Sequence, residues 1–171
     1  MSQFKVINPT EIGENTFKLI GDDWMLIGAA KPDGTFNMMT ASWGMLGIMW
    51  GKPAINCLVR NTRYTFEFTE ASDRAAFSFF GDDCRKQLGR LGSKSGREID
   101  KMHDSGLTPV VEDGAVWFSE ARLVLVGKKL YAHDVTPSEF KVPDLCESVY
   151  PAKDYHRIYT YEIEKIMIKD R

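Results

Sequence analysis

Residues 54–65 read Ala-Ile-Asn-Cys-Leu-Val-Arg-Asn-Thr-Arg-Tyr-Thr. The first half is a short apolar run, Ile55, Cys57, Leu58 and Val59, preceded by Gly51-Lys52-Pro53, and it predicts a buried strand that starts no earlier than the proline. Arg60 ends that strand. Thr62 is placed to cap a helix over residues 63–70, in which Tyr64 and Phe68 share a face at i and i+4. A strand thus hands over to a helix N-terminus with Arg60, Arg63, Thr62 and Thr65 gathered around it. Free amides, the positive end of a helix dipole and fork-shaped guanidinium donors suit a phosphate. The alternative at this point is two surface arginines paired with Asp or Glu.

Outward from this stretch the chain reads as strands. Residues 1–15 form a polar lead-in, and Thr16–Ile20 and Trp24–Ala30 read as two strands parted by Gly21-Asp22-Asp23. Lys31-Pro32-Asp33-Gly34 is a turn leading into a return strand over Phe36–Trp43, with Met38, Thr40 and Ser42 alternating against Met39, Ala41 and Trp43. Gly44, Gly47 and Gly51 loosen the segment around Leu46, Met49 and Trp50. Downstream, Arg74–Phe80 is a strand, Cys84–Leu91 a helix and Ile99–Ser105 a second helix stopped by Gly106. Between those helices, Gly92-Ser93-Lys94-Ser95-Gly96-Arg97 is either a phosphate cradle or a plain connector. Ala115–Val126 and Ile158–Ile168 are further strands, the latter with a change of parity that predicts a bulge near Glu164-Lys165. Val135–Leu145, with Pro137 and Pro143, reads as an excursion of at most one helical turn. The fold class expected is mainly β: a small closed or partly open barrel with short peripheral helices.

With 171 residues the chain suits one domain, and 43% hydrophobic against 27% charged residues suits a soluble globular protein. A net charge of -2 gives nucleic acid or an anionic membrane no reason to be the main partner. Cys57, Cys84 and Cys146 are an odd, scattered set without metal-ligand spacing, so reduced thiols and no metal are expected, with Cys57 a packed thiol. No signal-peptide core and no membrane-length apolar run is present, and the expected location is the cytoplasm. Gly92-Ser93-Lys94-Ser95 is not a nucleotide P-loop, because the residues are in the wrong order and follow a helix. The sequence lacks a Rossmann glycine motif, a nucleophile elbow and a His-Glu-x-x-His pair, and His103, His133 and His156 lie far apart.

Five segments in order resemble the flavin reductase-like family of FMN-binding split barrels, most closely its flavoredoxin-type branch. They are Asn37–Gly44 with Trp50–Pro53, Val59–Thr65, Leu88–Arg97 with Asp100-Lys101, Gly106–Pro109, and Tyr155–Tyr159. The likeness runs from about residue 15 to residue 168. It implies an antiparallel, Greek-key split barrel that binds FMN, with Thr40, Ala41, Ser42 and Trp43 along the ring and ribityl chain and Asn37 and Met39 also among the cofactor-binding residues. Arg60, Thr62, Arg63 and Thr65 would hold the ribityl and phosphate end, Tyr64 being a further cofactor-binding candidate, with Ser93, Lys94, Ser95 and Gly96 closing over it, so the phosphate reading of both loops is favoured. Fixed donors at the ring edge stabilise a reduced flavin. His156 corresponds to a histidine near the flavin and the nicotinamide site, a catalytic candidate, although this chain has Asp154-Tyr155-His156 where the family more often has Gly-Asp-His. Trp50 is expected in the core. The resemblance further implies NADH or NADPH as electron donor, and a homodimer, with which 8 Met, 10 Phe, 6 Tyr and 4 Trp are compatible. Two further readings are a carrier reduced by a partner protein and a flavin storage or sensing module.

Overall fold

A computed structural model describes residues 4–169. Ten antiparallel strands form one sheet in the order β4-β5-β10-β9-β6-β2-β8-β7, with β1 added to β10 and β3 to β2. They are β1 (Phe4–Ile7), β2 (Met25–Ala30), β3 (Phe36–Ala41), β4 (Gly44–Met49), β5 (Lys52–Arg60), β6 (Arg74–Phe79), β7 (Pro109–Glu112), β8 (Ala115–Phe118), β9 (Leu123–Asp134) and β10 (His156–Lys169). Four short helices decorate the sheet: α1 (Tyr64–Ala71), α2 (Arg85–Ser93), α3 (Lys101–Ser105) and α4 (Pro143–Val149). No helix among the described residues is long and apolar enough to cross a membrane.

The sheet curls round a core that includes Ile27, Cys57, Val59, Phe77, Leu125 and Tyr161, while a second core with Leu26, Met38, Leu88, Leu91 and Val124 fills the space under α2. Met38 and Met39 therefore face different cores, as neighbours on a strand must, and both are buried. Burial pushes the Cys57 thiol well above its ordinary range, as a packed thiol requires. Bulges fall between Ile163 and Lys165, at the parity change, and also between Thr160 and Tyr161.

Several local expectations are corrected. The lead-in contains β1, which pairs with the far end of β10; its first three residues lie outside the described residues. Thr16–Ile20 is not a strand. Asn15 Oδ1 accepts the amides of Phe17 and Lys18 at 3.0 and 3.2 Å, and a wide helical turn over Lys18–Asp23 buries Leu19 and Ile20. The return strand stops at Ala41, and the glycine-rich stretch after it is β4 rather than a loosened segment. At Gly44 a Cβ would lie 2.4 Å from the Asn56 carbonyl oxygen, so the glycine lets β4 close onto β5. Trp50 and Gly51, with φ of 50° and 72°, make the two-residue turn between them. Strand β5 begins one residue before Pro53, which lies opposite Ile48 and outside the pairing with β10, so its missing N–H breaks no ladder there. Arg63, not Thr62, is the cap position of α1, and it makes no side-chain capping bond. α2 runs on through Gly92 and Ser93, and α3 starts at Lys101 on the Asp100 side-chain cap. Ala115–Val126 is broken after Phe118 by a turn in which Glu120 accepts the Thr108 amide at 2.9 Å, while β9 continues to Asp134. The Pro-rich excursion holds two helical pieces, a turn at Pro137–Glu139 and α4, each with proline in its first turn.

Candidate functional site

The antiparallel register sets His156, the first residue of β10, directly opposite Arg60, the last of β5. The end of β3 and the C-terminus of α2 close on the same point. Together they enclose a cleft of about 220 Å³ lined by Met39, Thr40, Ala41, Ser42 and Trp43, by Leu58 and Arg60, and by Arg63, Gly92 and His156. Most of the predicted β3 set, both arginines and the histidine thus meet. The other predicted residues do not line this cleft. Asn37 Nδ2 donates to Thr65 Oγ1 at 2.9 Å in a buried pair, which fixes β3 to the first turn of α1. Gly96 packs so closely on that pair that a Cβ there would lie 2.6 Å from Asn37 Oδ1 and 3.1 Å from the Tyr64 ring. Thr62, Ser93 and Lys94 are exposed, and Ser95 accepts the Arg97 amide at 3.2 Å, a local turn.

The two guanidiniums are held differently. Arg60 forms an ion pair with Asp154, donates to the Val149 carbonyl at 3.3 Å and lies 5.3 Å from the Tyr150 ring centre. Arg63 donates to the Gly92 carbonyl and, among the described residues, pairs with no carboxylate. Burial, reinforced by Arg60, holds its pKa below the ordinary arginine value, but not far enough to discharge it. Asp154 keeps one buried carboxylate oxygen, Oδ1, without a hydrogen-bond partner among the described residues. Arg60 thus has an acidic partner, as the ion-pair reading expects, whereas the charge of Arg63 meets no carboxylate among the described residues.

Strand β3 adds backbone donors. Among the described residues it pairs only with β2, and Lys101 Nζ donates to Met38 O at 2.7 Å from its other side. A strand residue turns its N–H and C=O to the same edge, so Met38 and Thr40 both face away from β2. The Thr40 amide accordingly lies on the unpaired edge that borders the cleft, while its hydroxyl donates to Leu88 O at 2.7 Å. Lys101 also reaches Leu91 O at 2.9 Å, tying the end of α2 to β3.

No protein-family model and no curated protein matches the sequence. Solved structures do. An FMN-binding domain of a flavin reductase-like enzyme from Shewanella baltica superposes with a TM-score of 0.68 at 15% identity, over 98% of this chain and 78% of that one. Flavoredoxin from Methanosarcina acetivorans gives 0.67 at 19%, over 86% and 69%. Flavoredoxin of Desulfovibrio vulgaris (Miyazaki F) gives 0.66 at 19%, over 94% and 76%. The chain has the split-barrel fold of flavin reductase-like proteins.

In this split barrel His156 is a buried neutral base. Its Nδ1 lies 2.8 Å from the Tyr150 hydroxyl, and its ring centre is 5.2 Å from that of Trp43. Burial, with Arg60 close by and only partly offset by Asp154, lowers its pKa from 6.5 to about 4. Between those values the unfolded chain holds the proton and the folded chain does not, so stability is intact above about pH 6.5 and falls as pH drops toward 4. His156→Gln is expected to flatten the acid limb of a melting-temperature profile between pH 6.5 and 4; unchanged curvature would mean that the ring does not titrate as described.

Sequence reading missed Leu58, Tyr150 and Lys101 as residues at or behind this site, and Asp154 as the partner of Arg60. Tyr150 and Asp154 both precede His156 closely in sequence, and that clustering is the signal that could have exposed them. Trp50 is not in the core: it is 63% exposed beside Tyr131.

Proposed function

We propose that this chain is an FMN-binding oxidoreductase acting as one domain over residues 1–171, with NADH or NADPH as electron donor. The observation that carries the proposal is the convergence of Arg63, Arg60 and the unpaired edge of β3 on one cleft. The donor set fits the group. Arg63, with Arg60 beside it, suits a dianionic phosphate, and the β3 amides with Ser42 suit the polar edge of a ring system. FMN, when bound, supplies hydride acceptance from a nicotinamide and passage of electrons to an acceptor. The chain's own residues bind and orient. Trp43 and Leu58 wall the cleft, and Tyr150 holds the neutral His156 ring beside Trp43, where its remaining nitrogen can donate or accept a hydrogen bond without adding charge. Asn37, Thr65, Tyr64 and Gly96 support the cleft from behind.

A homodimer is part of the proposal. β4 is a sheet edge, and Met45 and Ile48 on it, with Trp50 in the turn that follows, are 64%, 75% and 63% exposed, an apolar edge that a second subunit would cover. We place the protein in the cytoplasm. A second reading, a flavoredoxin-like carrier reduced by another protein, draws support from the two flavoredoxins among the neighbours. The visible spectrum of the purified protein, with and without added FMN, tests the flavin. A perturbed flavin band that stays with the protein through gel filtration is expected, and its absence would overturn the proposal. Anaerobic mixing with NADH or NADPH then divides the readings: rapid bleaching supports the reductase, and bleaching only by dithionite supports the carrier.

A further inference from the structure

The strap that joins β9 to β10 carries α4, and Tyr150 is the residue on which that helix ends. Tyr150 is buried, with its ring 5.0 Å from that of Tyr155 and 5.3 Å from the Arg60 guanidinium. Its hydroxyl meets Nδ1 of His156 at 2.8 Å, and a count of protons decides which of the two donates. A phenol has one proton to give and lone pairs to accept with. The Val135 amide donates to His156 O at 2.9 Å, so the His156 N–H, on the same edge of its strand, also turns away from β5 and is directed at the Tyr150 oxygen. Were Nδ1–H to donate there too, the phenol oxygen would accept twice, and its own proton would be buried with no acceptor among the described residues. With the phenol donating, every proton has a partner. Burial raises the Tyr150 pKa, only partly offset by Arg60 and the His156 amide, so the phenol keeps the proton it gives. Nδ1 thus points at Tyr150, which does not line the cleft, whereas the His156 ring does. Nε2, on the far side of the ring, has no hydrogen-bond partner among the described residues and is left to the cleft.

We infer that Tyr150 is a positioning residue: its hydroxyl donates to Nδ1 of His156 and fixes the ring as the Nε2–H tautomer, a neutral donor turned to an acceptor atom of the ligand in the cleft. The cleft then discriminates at this point without charge. A carbonyl oxygen or unprotonated ring nitrogen gains a hydrogen bond, whereas an N–H or amino group would face another donor. The tautomer stands on the chain alone; the acceptor as an atom of FMN rests on the flavin reading.

The test is proton–nitrogen correlation NMR of the imidazoles in the isotope-labelled full chain at neutral pH. The sequence has three histidines, and the signals lost in His156→Gln assign His156. We expect Nδ1 to resonate far downfield, as a ring nitrogen without a proton does, and Nε2 upfield with its proton attached. Tyr150→Phe keeps a ring against Arg60 and removes only the hydroxyl; the two nitrogen signals are then expected to shift toward each other as the second tautomer becomes populated. A protonated Nδ1 in the wild type, or shifts unchanged in Tyr150→Phe, would overturn the inference. FMN titrations read the donor. His156→Leu is expected to weaken FMN about tenfold, and His156→Gln, whose amide supplies an N–H near the Nε2 position, to recover most of that loss. Equal losses in the two variants would overturn the donor role and leave flavin binding intact. The expected tautomer in a chain that binds no FMN would uphold Tyr150 as the positioning residue and overturn the flavin reading instead.

Discussion

Replacing Lys101 with methionine is expected to lower the unfolding free energy by about 2–4 kcal/mol, the loss of two hydrogen bonds from a charged donor. The side chain is 5% exposed, and its ammonium donates to Met38 O at 2.7 Å and Leu91 O at 2.9 Å. Methionine matches its length but donates nothing, so two carbonyl oxygens, one on β3 and one in the last turn of α2, would be left without their donor. Relief of the buried charge works in the opposite direction. That relief is limited, because burial and Arg63 have already lowered the lysine pKa from 10.5 to about 8, close to its discharge point. The orphaned acceptors therefore decide the sign. For a chain of this size the loss corresponds to a melting temperature lower by about 5–15 °C. Linkage adds a second readout. Between pH 8 and 10.5 the unfolded lysine holds a proton that the folded one has shed, so wild-type stability gains with rising pH in that window and the variant lacks the gain. Melting curves at neutral and alkaline pH read both effects. A variant within about 0.5 kcal/mol of wild type, the range of neutral surface changes, would remove Lys101 as the tie between α2 and the cleft edge.

What the sequence reveals of this fold is what local pattern can encode. The apolar run ending in Arg60 and the parity change at Glu164 lie within a few residues of the structure they cause, and both read correctly. The resemblance drew the end of β3, both arginines and His156 into one site, and the cleft brings them together. Failures occur where a distant partner decides. Thr16–Ile20 has the composition of a strand, but the Asn15 cap starts a helical turn. Pro53 is tolerated in β5 because of where β10 begins to pair, more than a hundred residues along the chain. Lys101 looks like any lysine after a helix cap; its burial depends on β3, from which no periodicity leads to it. Arg60 could be read as a phosphate ligand or as half of an ion pair, and its choice of Asp154 depends on the strap folding back over β5.

That choice shapes the largest effect expected on binding. Arg63→Ala should weaken FMN by about 1–3 kcal/mol, roughly 5- to 150-fold, because it removes a half-buried guanidinium that pairs with no carboxylate among the described residues. Arg60→Ala should also weaken FMN, but it breaks the contacts with Asp154 and Val149 as well, so part of its effect would come from a loosened strap. Riboflavin separates the two contributions, since it has the ring and the polyol but not the phosphate. If Arg63 grips phosphate, the alanine variant loses FMN affinity and keeps its riboflavin affinity; a change to Arg60 that acts through the strap weakens both ligands. Asp154→Asn sharpens the contrast: it frees Arg60 from its counter-charge while preserving side-chain shape, and should tighten FMN without tightening riboflavin. Parallel fluorescence-quenching titrations of both ligands against the three variants provide the measurement. Equal losses for FMN and riboflavin in Arg63→Ala, or no loss for either, would remove the phosphate from this corner of the barrel and leave Arg63 as a clasp on the end of α2 through the Gly92 carbonyl.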